Sequence, residues 1–117
     1  MQKIRRRFTK EYTDKEIIAF IEHSPPPVLD LFDNEILRIV KIVVDLEKRY
    51  GLSGGQGGFL AEVNRDFMLQ LLTRDEMLRE LCGAGIGSAS ANEIVDELCR
   101  LVHDPLRVNL QAYNHWK

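Results

Sequence analysis

Three times in this chain a hydroxyl residue is followed three positions later by glutamate: Thr13 with Glu16, Thr73 with Glu76, and Ser90 with Glu93. In such a capping box the hydroxyl accepts a free amide of the first helical turn, and the glutamate reaches back to the capping residue's own amide. Three helix starts spread across 117 residues leave little chain for anything but helices. The segments between them agree. Ile36, Leu37, Val40, Val43, Val44 and Tyr50 recur at helical spacing behind Asp33 or Asn34 as cap, and Gly51 ends the run. The β-branched stretch from Ile39 to Val44 could pass for a buried strand, but charges at Arg38, Lys41, Asp45, Glu47 and Lys48 interrupt it and nothing else offers it a strand to pair with.

The pattern predicts an all-α fold, a compact bundle of five or six helices. The first runs from Thr13 to about His23 and stops at Ser24-Pro25-Pro26-Pro27, which reads as a stiff linker. After the long apolar helix come Phe59 to Leu72, Arg74 to Cys82, Ala91 to His103, and a short last helix from Pro105 to about Tyr113. Phe67, Leu71 and Leu72, with Leu98, Leu101 and Val102, are expected in the core. A chain of this length can bury a core without metal or disulfide.

Charge divides the chain into a basic arm, 1–12, and a single helical domain, 13–117. All five charges among the first ten residues are basic, which leaves 11 Lys and Arg against all 18 Asp and Glu. Such an arm reads first as a solvated tail and second as a phosphate-tracking segment, with Arg5, Arg6 and Arg7 as its candidate nucleic-acid contacts. An acidic body opposes a duplex and favours a protein partner, a second copy of the chain included. The apolar stretch Ile17 to Ile21 is too short for a leader and no run approaches a membrane span, so the expected home is the cytoplasm, with no membrane partner.

Catalytic and metal chemistry find no constellation. His23, His103 and His115 are scattered, and no serine sits at a strand-to-helix elbow. Cys99 and His103 share a helix face, but Cys82 and Cys99 lack the close CxxC pairing of structural zinc sites, so buried apolar cysteines, no metal and no cofactor are expected. The reading is of a non-enzyme. Tyr113 and Trp116, the latter the only tryptophan, are candidate partner anchors or a terminus folded back on the core.

Two glycine loops carry resemblances. Leu52 to Gln56 spell LSGGQ, similar to the signature loop of ATP-binding-cassette proteins, but no GxxxxGK[ST] phosphate loop accompanies it, and 117 residues leave no room for that domain. Gly85-Ile86-Gly87-Ser88-Ala89-Ser90-Ala91-Asn92-Glu93-Ile94 resembles the helix-hairpin-helix motif of DNA-binding proteins over residues 74–98. The resemblance implies that Gly85, Gly87 and Ser88 turn loop amides toward a DNA phosphate, and that Ala91 and Ile94 let two helices pack closely. The chain departs from that family at Gly83, where an apolar residue is usual, and at Ser88 and Ala89, where Lys or Arg often stands. Shifting the chain by 30 residues lays Gly55-Gln56-Gly57 on Gly85-Ile86-Gly87, which suggests two pseudo-repeated helix-loop-helix units.

Overall fold

A computed structural model describes residues 3–111. It is an all-α bundle: α1 (Asp14–Glu22), α2 (Pro26–Asn34), α3 (Ile36–Arg49), α4 (Gly54–Met68), α5 (Arg74–Gly83) and α6 (Ser88–Leu98), with α6 passing through a π-helical stretch, Cys99–His103, into α7 (Asp104–Gln111). Counting that unbroken run as one helix gives six.

Capping sets the entries. Thr13 and Thr73 make both halves of their boxes with Glu16 and Glu76. The third expected box does not form, because α6 begins at Ser88 with Gly87 as cap and Ser90 falls inside its first turn. A box stands instead at Ser53, whose hydroxyl accepts the Gln56 amide while Gln56 returns to the Ser53 amide. LSGGQ is thus a helix start, and α4 begins five residues before the expected Phe59 and ends at Met68, four before Leu72. Glutamine satisfies the box as glutamate does.

The proline run also departs from expectation. Pro25 is extended (φ −67°, ψ 158°), but Pro26 and Pro27 open α2. First-turn amides have no partner within a helix, so prolines there lose nothing and their fixed φ suits the turn. Asp33 and Asn34 close α2 rather than cap α3, whose cap position is Glu35 without a side-chain bond.

At the other end, Pro105 has no amide for the Leu101 carbonyl, and Arg38 Nη1 on α3 donates there at 3.3 Å. That bond ties the π-helical stretch to α3.

The core gathers Val28 and Leu31 from α2, Ile39, Val43 and Leu46 from α3, Leu60 and Val63 from α4, Met77 and Leu81 from α5, and Ile94, Val95 and Leu98 from α6. Leu72 and Val102 are buried with it, and Phe67, Leu71 and Leu101 pack against it half-buried, as expected. The helices pack as two hairpins, α3 on α4 and α5 on α6, joined through α4 and α5. The glycines do not repeat between them. Gly55 and Gly57 lie inside α4, and the left-handed glycines are Gly51 (φ 63°) and Gly85 (φ 88°), so the 30-residue register does not superpose the two turns.

Three polar side chains lie in this interior: Asn64 and Asp66 on α4 and Glu80 on α5. What they bind decides where the arm goes.

Candidate functional site

The basic arm is folded onto the body. Glu80, 1% exposed, accepts hydrogen bonds from the backbone amides of Arg7 (2.9 Å), Phe8 (3.1 Å) and Thr9 (2.8 Å), and from the Thr9 hydroxyl (2.5 Å). Burial pushes its carboxyl up, but the Thr9 hydroxyl and the three amides outweigh it and hold the group below the usual carboxylate range. Arg6 pairs with Asp66 and donates to Thr9 Oγ1 and the Lys10 carbonyl. Its side chain is 1% exposed, and Asp66 takes a second guanidinium from Arg65 at 2.8 Å. A buried carboxylate needs such partners.

Of the arginines singled out from sequence, Arg6 is therefore enclosed. Arg5 is exposed and paired with Glu11 at 2.7 Å. Arg7 is exposed, and its stem rests on Gly83, where an added Cβ would come within 3.3 Å of Arg7 Cδ and 3.1 Å of the Phe8 ring. The missing side chain at Gly83 is the seat of the arm.

This docking seats Arg7 on Gly83, two residues before the turn that carries Gly85, Gly87 and Ser88, all exposed. Gly85 needs its left-handed φ, whereas an added Cβ at Gly87 would meet nothing within 4 Å. Ile86, Ala91 and Ile94 are buried beneath the turn, and Gln56 Nε2 donates to the Ala84 carbonyl at 3.2 Å. No side chain caps α6. Its first amides are open to solvent or to an anion.

The histidine and cysteines form no reactive group. His103 is largely buried, with Nε2 2.9 Å from Asn64 Oδ1 and its ring centroid 3.9 Å from that of Phe67. Burial pulls its pKa down from 6.5 to about 3, so the neutral ring donates Nε2–H to the Asn64 oxygen. Cys82 is exposed and Cys99 half-buried, so the expected buried pair of thiols is not found. Among the described residues no three His, Cys, Asp or Glu side chains are placed to hold a metal ion. Tyr113, His115 and Trp116 lie outside the described residues.

The feature sequence reasoning missed is the outer face of α3. The core takes Ile39, Val43 and Leu46, leaving Leu37, Val40 and Val44 exposed at 81%, 50% and 38%. Beside this stripe an apolar groove of about 380 Å³ runs between α3 and α4, lined by Phe32, Ile36, Val40, Val43 and Val44 on one side and Gly57, Gly58, Ala61 and Met68 on the other. Gly57 and Gly58 sit inside a helix, where each costs about 1 kcal/mol relative to alanine. Their bare backbone hollows the groove. The Glu47 carboxylate lies over Gly57, since an added Cβ there would fall 2.4 Å from it. The signal was present: eight of the eleven residues from Ile36 to Leu46 are apolar, more than one buried stripe uses.

The chain matches no protein-family model, no curated protein and no solved structure. No described helix is long and apolar enough to cross a membrane. The reading of function rests on these surfaces alone.

Proposed function

We infer that this is a non-catalytic helical interaction protein of the cytoplasm that acts by docking a protein partner on the α3–α4 face. The observation that carries the reading is the exposed stripe Leu37, Val40 and Val44 beside a preformed apolar groove. A single exposed leucine is ordinary, but three at one-turn spacing along a groove are the anchor pattern of helix-in-groove recognition. The two unpaired cysteines are in keeping with a reducing compartment. The test is co-purification from the protein's own cells with the wild type and Leu37→Asp, with urea unfolding of both. Loss of a partner at an unchanged unfolding midpoint supports the docking face; a partner retained by the variant sinks it.

A second reading is favoured by one observation, the placement of exposed Arg7 on Gly83, two residues before the Gly85–Ser88 turn. Here the chain is an accessory nucleic-acid binder in which the open α6 amides take a phosphate and Arg7 adds the cation that the loop's own sequence lacks. Fluorescence anisotropy of a labelled duplex at several salt concentrations tests it. Salt-sensitive binding weakened by Arg7→Ala and Gly87→Val supports this reading, and no binding at low salt ends it.

A further inference from the structure

The docking face carries charge as well as apolar surface, with two exposed lysines against one exposed carboxylate, Asp45, along its α3 edge. Lys41 follows Leu37 by four residues and Lys48 follows Val44 by four, so on α3 each lysine lies beside one member of the exposed stripe. Both are exposed, and neither makes an ion pair among the described residues. On the α4 side Arg65 is already engaged, its Nε held by Asp66 and its buried Nη2 4.0 Å from Glu62 Oε1. The one carboxylate that lines the groove, Glu47, is turned onto Gly57 at the first turns of α4, where the helix dipole favours a negative charge. The groove therefore presents an apolar floor beside an α3 edge of net positive charge.

Resting on the docking reading above, we propose that the occupant of this groove is an amphipathic helix of another protein, with an apolar stripe flanked by Asp or Glu. The apolar side chains enter between α3 and α4 over Gly58 and Ala61, where an added Cβ at Gly58 would meet nothing within 4 Å. The flanking carboxylates meet Lys41 and Lys48 on the α3 edge. A second copy of the chain is the poorer occupant, because antiparallel packing of two α3 helices about this stripe sets Lys41 against Lys41, a like-charge contact.

The experiment titrates two labelled synthetic helices with the same leucine stripe, one flanked by Glu and one by Lys, with the whole protein as titrant. The account expects the Glu peptide to bind with micromolar affinity at low salt. It expects that peptide to bind about tenfold or more tighter than the Lys peptide, with the gap closing as salt rises. Leu37→Asp weakens the Glu peptide about tenfold or more, while Lys41→Glu with Lys48→Glu inverts the preference. Absence of binding, equal binding of both peptides, or a preference untouched by the lysine reversals overturns the proposal. Sedimentation of the wild type alone is run alongside: a dimer abolished by Leu37→Asp makes a second copy the occupant and also overturns it. The partner co-purified from cells separates the two levels. If its capture is lost in Leu37→Asp but indifferent to the lysine reversals, the docking face stands and the acidic helix falls; if it survives Leu37→Asp, both fall.

Discussion

The arm side of the molecule and the outer face of α3 invert each other's chemistry. Where the arm crosses α4 and α5, charges are buried: Arg6, Asp66 and Glu80 are each about 1% exposed or less, and each is matched by hydrogen bonds or an opposite charge. Along α3, side chains of Leu37, Val40 and Val44 stand exposed beside an apolar groove. A buried charge survives only if it is paired, and in the first region the Arg6, Asp66 and Glu80 charges find their partners within the chain. The second, under the proposed function, takes its partner from outside. On that reading the contrast assigns folding to the charges and recognition to the hydrophobes.

Removing a buried charge should have the largest effect. Asp66→Ala leaves Arg6 enclosed without its carboxylate and is expected to cost about 3–5 kcal/mol in urea unfolding. Glu80→Ala strands three amides and a hydroxyl and should cost about 3 kcal/mol or more. Either variant losing less than about 1 kcal/mol would break the comparison, because the arm would then be dispensable.

Acid sharpens the same point. His103 titrates at 6.5 when unfolded and about 3 when folded, so the unfolded chain alone gains a proton between these values. Stability should be flat above 6.5 and fall by about 1.4 kcal/mol per pH unit below it, roughly 2–3 kcal/mol by pH 4.5. Glu80 has the same sign in a lower window. Its folded pKa is depressed, so its contribution is full above the unfolded value of about 4.3 and is lost as pH falls through the folded one. Equilibrium unfolding against pH measures both, and His103→Phe should flatten the upper limb while lowering stability at neutral pH by orphaning Asn64.

Two smaller effects complete the series. Ser53→Ala removes one half of the capping box and should destabilise by about 1 kcal/mol. Leu37→Asp, at 81% exposure, should move stability by no more than about 0.5 kcal/mol while abolishing docking. A thermal melt that shifts more for Leu37→Asp than for Ser53→Ala would make Leu37 part of the fold and erase the distinction.

Much of the fold was legible because its signals are local. Two capping boxes, Pro105 near the start of the last helix and the apolar periodicity of α3 each depend on residues within a turn or two. The box at Ser53 was hidden because its glutamine was read as part of LSGGQ, and α2 was missed because three prolines resemble a linker until the second and third occupy a first turn. The site was less legible for a different reason. Which of two apolar faces on α3 is buried is settled by how α2 and α4 pack against it, and the capture of the arm is settled by a glutamate 71 to 73 residues away. Gly83 illustrates the limit: as a departure from the hairpin pattern it looked like a defect, and its reason lies in Phe8 and Arg7.

The measurement that bears most directly on the inversion places a photo-cross-linking residue at Leu37 in one variant and at Arg7 in another, then irradiates each in lysate of the protein's own cells. The account predicts a discrete protein adduct from position 37, lost when Val40→Asp is added, and none from position 7. An adduct from position 7 with position 37 silent would contradict it, placing recognition on the arm and leaving the α3 face as bare surface.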